Sequence, residues 1–167
     1  MSASEHRLQS PARVTCAIIT VSDTRTVETD TSGAAIAGLL EAAGHRVALR
    51  ALVPDDGDRV REAVVSALRD DQVQVVITTG GTGISRRDGT FEVVDALLEK
   101  RLDGFGELFR MLSYEQVGAA AILSRACAGL AGGRILVALP GSEAAVRLAM
   151  EKLLVPEIGH LVREATR

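Results

Sequence analysis

The run Thr79-Gly-Gly-Thr-Gly83 is followed almost at once by Ser85-Arg-Arg-Asp-Gly-Thr90, so hydroxyls, two guanidiniums and a carboxylate crowd around glycine backbone in one short segment. Successive N–H groups in glycine-rich turns form anion-binding nests, and arginines bind phosphate oxygens through charge-assisted hydrogen bonds. Phosphate is the ligand this chemistry fits. Neither common phosphate fingerprint is present. A Walker loop needs Gly-Lys where Ser85 and Arg86 stand, and GxGxxG from Gly81 needs glycine at Arg86. A tight strand-to-helix turn is an equal reading of Gly80, Gly81, Thr82 and Gly83. Asp55, in Pro54-Asp-Asp-Gly-Asp58, and Asp88 offer a second chemistry. Paired carboxylates beside phosphate-binding groups hold Mg²⁺, with water and phosphate oxygens completing the octahedron. Read locally, Asp55 also serves as a turn and helix-cap residue, and Asp88 as a helix-cap neighbour.

Other chemistries lack their residues. His6, His45 and His160 fall in no ligand spacing or triad and read as surface residues, and there is no GxSxG elbow or HExxH pair. Cys16 and Cys127 form no CxxC or CxxH spacing, which argues against zinc ribbons and thioredoxin-like redox chemistry. Both read as buried, inert thiols.

The elements that must position these groups alternate between strand and helix. Val14–Val21 is a β-branched, uncharged run that suits a strand buried on both faces. Asp30 and Thr31 can cap a helix whose face is Ile36, Leu39, Leu40 and Ala43, with Gly44 as its stop. Val47–Val53 predicts a second strand, ended by Pro54, and Val60, Ala63, Val64, Ala67 and Leu68 mark a second helix. Val73–Thr79 predicts a third strand running into the glycine loop. Phe91, Val94 and Leu98 give one further helical stripe, and Phe105, Leu108, Phe109 and Leu112 another. Within Val117–Ala131 a short strand pairs with the next one, Arg134–Leu139. Pro140, Gly141 and Ser142 then turn the chain into a helix capped by Ser142, and Pro156 separates this helix from a short final one. The pattern predicts a three-layer α/β/α fold with a mainly parallel sheet and one antiparallel strand. In such sheets ligands bind beyond the carboxyl ends of the strands. Ser22-Asp23, Pro54-Asp55, the Thr79–Gly83 loop and Pro140-Gly141-Ser142 all fall at such ends.

The chain has 167 residues, 47% of them hydrophobic, with no tryptophan and four aromatic residues, Phe91, Phe105, Phe109 and Tyr114. Residues 14–167 are expected to form one domain behind a flexible tail, 1–13. Nineteen basic and 22 acidic residues give a net charge of −3, which disfavours a basic groove or stacking platform for nucleic acid. No apolar run approaches a membrane span, and the N-terminus has no signal-like apolar region. A small-molecule partner and a cytoplasmic setting are the expectation.

Taken together, the motifs resemble the molybdenum cofactor biosynthesis protein B and molybdopterin adenylyltransferase (MoaB/MogA-like) family. The matching pieces are Thr20-Val-Ser-Asp-Thr-Arg25, Asp30-x-Ser-Gly33, Val53-Pro-Asp55, Thr78-Thr-Gly-Gly-Thr-Gly83 with Arg87-Asp88-x-Thr90, Gly104-Phe-Gly-Glu107, Leu123-Ser-Arg125 and Leu139-Pro-Gly-Ser142. They span nearly everything from Val14 to Val162, and their form is closer to the B-protein branch. The resemblance implies a molybdopterin-binding fold and transfer of AMP from Mg-ATP to the terminal phosphate of molybdopterin. The alternative it allows is a non-catalytic binder of molybdopterin or its precursor. It implies that Asp55 and Asp88 are the acidic pair needed for adenylation, through Mg²⁺ or through alignment of the attacking phosphate. Ser22, Asp23, Thr79, Gly80, Gly81, Thr82, Gly83, Arg87, Thr90, Pro140, Gly141 and Ser142 would bind pterin and phosphate, with Glu107 and Ser113 as further site residues. It also implies a homotrimer or a dimer of trimers, and other proteins of the same pathway as partners. Independently, the apolar stretch Met111–Ala128, whose only charges are Glu115 and Arg125, invites burial as an oligomer interface. Two positions depart from the family pattern: Phe91 stands where proline is frequent, and Gly89 where a β-branched residue is.

Overall fold

The structure, a computed structural model, describes residues 8–167. Its sheet has six strands in the order β2-β1-β3-β6-β5-β4: β1 (Thr15–Val21), β2 (Arg46–Val53), β3 (Val75–Thr79), β4 (Lys100–Arg101), β5 (Cys127–Ala131) and β6 (Arg134–Leu139). The pairs β1–β2, β1–β3 and β3–β6 are parallel, whereas β5 runs antiparallel to both its neighbours. The expected three-layer α/β/α architecture with one antiparallel strand is therefore observed.

Alternation along the strands builds two cores. Cys16, Ile18, Val75, Ile77, Ile135 and Val137 point to one face, where α1 (Thr31–Ala42), α4 (Asp103–Val117), α5 (Glu143–Ala149) and α6 (Val155–Ala165) cover them. Ala17, Ile19, Val76, Leu136 and Ala138 point to the other, under α2 (Gly57–Arg69) and α3 (Thr90–Leu97). Full burial of a side chain such as Ile18, Ile77 or Phe109 stabilises the fold by about 1.5–3 kcal/mol. The helix starts at Asp30 and Ser142 are capped as expected, whereas α2 is capped by Asp56 and not by Asp55. Gly33 N donates to the Asp30 carboxylate at 2.9 Å, Arg59 N to Asp56 at 3.1 Å and Ala145 N to Ser142 Oγ at 3.2 Å.

Three features differ from expectation or extend it. No break occurs at Pro156: α5 continues through a π-helical stretch, Met150–Leu154, into α6, with Pro156 in the first turn of α6. Proline lacks an N–H, and its ring clashes with the carbonyl four residues earlier in a regular helix; a wider π turn relieves that clash. The edge strand β4 has two residues, too short to leave a periodic signal. Val117–Ala131 divides into a 3₁₀ turn, Gly118–Leu123, and the expected strand β5. Residues 1–7 of the expected tail lie outside the described residues. In the described part, Gln9 Oε1 accepts from Arg163 Nη2 at 2.9 Å, and a Cβ on Gly159 would come within 2.7 Å of Pro11 O.

Candidate functional site

The carboxyl ends of the four adjoining parallel strands are level. Val21 pairs with Val53, Thr20 with Thr79, and Thr79 with Leu139. Whatever follows those residues therefore emerges along one rim. The chain leaves β1 towards β2 on one side and returns to β3 on the other, which makes the β1–β3 junction the topological switch point. Glycine is required there. Gly80 has φ +96°, and a Cβ on it would lie 2.2 Å from Val21 O. Gly141 packs against Gly80 in turn, its Cβ position 3.2 Å from Gly80 Cα.

Several of the expected ligand hydroxyls are engaged in holding these turns. Ser22 Oγ accepts from the N–H groups of Thr24 and Arg25 at 3.2 and 3.0 Å. Thr79 Oγ1 donates to Pro140 O at 2.8 Å, and Ser142 Oγ caps α5. Behind them sits a network that local sequence does not reveal. Ser32 Oγ and Arg25 Nη2 both donate to Gly141 O, at 2.6 and 3.0 Å. Buried Asp30 accepts from Thr20 Oγ1 at 2.8 Å and Arg50 Nη2 at 3.2 Å besides its helix-capping bond. A Cβ on Gly33 would come within 2.2 Å of Asp30 Oδ2, which accounts for the glycine in Asp30-x-Ser-Gly33.

The acidic groups gather around Gly81 and Gly83. Gly81 has φ +68°, and its Cβ position lies 2.2 Å from Thr90 Oγ1 and 3.0 Å from Asp55 Oδ1. Both oxygens are buried and make no hydrogen bond among the described residues, although the Gly89 N–H favours the charged form of the Asp55 carboxyl. Buried polar atoms are nearly always paired, with protein, water or ligand, so two such atoms beside one glycine make this spot the candidate for a bound water, ion or ligand. The equivalent position on Gly83 is 2.6 Å from Asp88 Oδ2, which accepts from Ser85 N and Oγ at 2.9 and 2.6 Å. Burial first, then the Asp88 charge, pushes the Asp55 carboxyl above its usual range. Asp55 N donates to Asp23 Oδ1 at 3.0 Å. Arg87 grips the same Asp23 carboxylate at 2.9–3.1 Å, and that bond holds Asp23 below the usual carboxylate range. Of the two guanidiniums, Arg87 is thus engaged, while exposed Arg86 makes no ion pair among the described residues.

The loop backbone supplies the complementary charge. Gly80 N donates to Leu139 O and Thr90 N to Gly81 O. The intervening N–H groups of Gly81, Thr82, Gly83 and Ile84 make no hydrogen bond among the described residues, so consecutive donors are left over, as an anion nest requires. Among the described residues no group of three or more His, Cys, Asp or Glu side chains converges on a metal position. Asp55 and Asp88 suit a cation that takes most of its ligands from water and phosphate, as Mg²⁺ does.

Glu107 and Ser113 lie on α4, exposed and buried respectively, and no hydrogen bond among the described residues joins either side chain to the rim. Arg125 reaches the loop from the segment before β5. Its Nε donates to Thr82 O at 2.9 Å and its Nη2 to Gly83 O at 2.6 Å. Its signal in the sequence is a solitary basic residue in an apolar stretch. Cys16 is buried and Cys127 half-buried, and burial pushes both thiols up to about 12, so both stay protonated at neutral pH. His45 and His160 are half-buried and not simply surface residues: Nδ1 of His45 accepts from Val14 N at 3.1 Å, and His160 Nδ1 lies 3.0 Å from Glu157. Among the described residues no helix is long and apolar enough to cross a membrane.

Residues 17–160 match a family described as "Probable molybdopterin binding domain". The chain is 51% identical over 168 residues to molybdenum cofactor biosynthesis protein B of Bacillus cereus, covering 100% of this chain and 99% of that protein. It is 49% identical over 165 residues to the protein of the same name in Bacillus subtilis, with 98% and 97% covered. A crystal structure of molybdenum cofactor biosynthesis protein B superposes with a TM-score of 0.90 at 51% identity, over 94% of this chain and 98% of that one. The tungsten cofactor synthesizing protein MoaB of Pyrococcus furiosus gives 0.85 at 37% identity, over 95% and 100%. This chain, with its level strand ends and glycine-lined rim, belongs to the MoaB/MogA family of molybdenum cofactor biosynthesis proteins.

Proposed function

We propose that this chain binds molybdopterin along the strand-end rim and adenylylates its terminal phosphate with Mg-ATP. The observation that carries the reading is the buried, unpartnered Asp55 Oδ1 beside Gly81, facing the Asp88 charge next to a row of unpartnered amides. The nucleophile is a phosphate oxygen and is already ionised, so no general base is needed. It forms a bond to the α-phosphorus of ATP, the bond from that phosphorus to the β-bridging oxygen breaks, and pyrophosphate leaves. The protein's work is to hold two anions in line and offset their charge. The Gly81–Ile84 amides and Arg86 bind phosphate oxygens; Asp23 and Arg87 brace Asp55; Ser22, Thr79, Pro140, Gly141 and Ser142 shape the pterin side of the rim. Asp55 and Asp88 would hold Mg²⁺, which supplies charge neutralisation when bound. Glu107 and Ser113 are further pterin contacts by family pattern.

Purified protein incubated with molybdopterin and Mg-ATP is expected to yield adenylylated molybdopterin and pyrophosphate, detectable by mass spectrometry. The Asp55→Asn and Asp88→Asn variants are expected to keep pterin affinity and lose the product. A wild-type protein that makes none, or two fully active variants, overturns the mechanism. One observation favours a non-catalytic carrier instead: Asp88 Oδ2 is already held by Ser85 N and Oγ. That reading predicts pterin affinity indifferent to ATP.

We further propose that the chain works as a homo-oligomer, a trimer or hexamer, in contact with other proteins of the pathway. Leu108, Met111, Tyr114 and Val117 on α4, with Ile122 and Leu123 in the 3₁₀ turn, leave an apolar face in solvent, Tyr114 at 64% and Ile122 at 82% exposure. Large exposed apolar patches mark interaction surfaces, and a second copy is the occupant proposed.

A further inference from the structure

Arg125 belongs to none of the strand ends that form the rim, yet every part of its guanidinium is directed at the glycine loop or the helix that follows it. Besides the bonds to Thr82 O and Gly83 O, Nη1 pairs with Glu92 in the first turn of α3, and the guanidinium carbon lies 4.9 Å from the centroid of the Phe91 ring. The guanidinium is thus pinned by an ion pair and a cation–π contact, and it in turn pins two consecutive peptide planes. In a trans peptide the C=O and the next N–H point in opposite directions. With the Thr82 and Gly83 carbonyls turned towards Arg125, the N–H groups of Gly83 and Ile84 must point away from it. Those are two of the amides that make no hydrogen bond among the described residues. Apart from buried Thr82, the loop has no side chain to choose between flipped and unflipped peptides, so the Arg125 guanidinium, which binds both carbonyls, makes the choice.

We infer that Arg125 is the positioning residue of the anion nest and that Phe91 is the ring that holds the guanidinium against the loop. The inference rests on the phosphate-binding part of the function proposed above and not on turnover. Lysine cannot replace Arg125, because an ammonium is a point charge and does not bridge two carbonyls in a fixed plane.

The probe is inorganic pyrophosphate with MgCl₂, titrated calorimetrically into the full-length protein, with thermal melts to establish that each variant is folded. Arg125→Lys is expected to bind pyrophosphate about tenfold more weakly despite its retained charge, and Phe91→Leu about two- to fivefold more weakly. In turnover, Arg125→Lys is expected to raise the KM for ATP more than it lowers kcat, a split that general destabilisation would not produce. If Arg125→Lys and Phe91→Leu bind pyrophosphate as tightly as wild type, the inference is wrong while the adenylylation reading stands. A wild type that binds pyrophosphate but makes no adenylylated molybdopterin, with both variants weakened, sinks adenylylation and supports the inference. A wild type with no pyrophosphate affinity overturns both.

Discussion

Replacing Gly81 by alanine tests the geometry of the site with a single methyl group. Two separate costs follow from the structure. Gly81 sits at φ +68°, and a left-handed conformation costs an L-residue roughly 1–2 kcal/mol relative to glycine. The new Cβ would also arrive 2.2 Å from Thr90 Oγ1 and 3.0 Å from Asp55 Oδ1, so side chains must shift. Such overpacking typically costs about 1–3 kcal/mol. The sum is about 2–5 kcal/mol, and at about 2–4 °C per kcal/mol for a chain of this size the melting temperature should fall by roughly 4–20 °C. Gly133→Ala is the control. Gly133 has φ +76° and nothing within 4 Å of its Cβ position, so only the backbone cost applies, about 1–2 kcal/mol or roughly 2–8 °C. Paired thermal melts separate the two, and removing the Thr90 side chain in a Gly81→Ala/Thr90→Ala double variant should recover part of the difference. Gly81→Ala should also abolish pyrophosphate binding, while Gly133→Ala should not. Equal melts for the two alanine variants, or full ligand binding by Gly81→Ala, would refute a cradle between Asp55 and Thr90.

Asp30→Ala strips a buried carboxylate of its bonds to Thr20, Gly33 and Arg50 and should destabilise the fold by about 3–5 kcal/mol in urea melts; a loss below 1 kcal/mol would mean the network is not structural. The Asp55 carboxyl is raised by burial and then by Asp88, so its folded-state contribution is most favourable below the usual carboxylate range and is lost as pH rises through the folded value. Asp55→Asn should therefore raise the melting temperature at pH 8 and have little effect near pH 3, and a gain that does not grow with pH would contradict this. The Asp23–Arg87 bridge is solvent-exposed, 39% and 63%, so a double-mutant cycle should give a coupling below about 1 kcal/mol, even if activity depends strongly on it. Tyr114→Glu combined with Ile122→Glu should convert the oligomer to a monomer by light scattering; a wild type already monomeric at micromolar concentration would leave the α4 face without its proposed occupant.

Much of the site lay open in the linear chain. Uncharged β-branched runs, the helical stripes and the caps at Asp30 and Ser142 depend on residues within a few positions of one another, so periodicity and local hydrogen bonding expose them. The same locality explains the failures. Lys100–Arg101 is too brief for a period, and the passage of the C-terminal helix through Pro156 depends on a π turn that residue types do not announce. The turn-closing bonds of the Ser22, Thr79 and Ser142 hydroxyls are also not legible, because a hydroxyl offered to a ligand and one closing a turn look alike in sequence.

By itself the sequence determined an alternating α/β chain whose glycines, carboxylates and hydroxyls fall just after strands, since each of those positions is set by neighbours along the backbone. Only the tertiary structure decided which strand ends meet. The order β2-β1-β3-β6 brings Asp23 to Arg87 and Asp55 to Gly81, and the pairing of β5 beside β6 brings Arg125 to the carbonyls of Thr82 and Gly83. These partners are far apart in the chain. Their meeting is fixed by sheet pairing and two-sided burial of the apolar strands, which no local pattern of polar residues encodes.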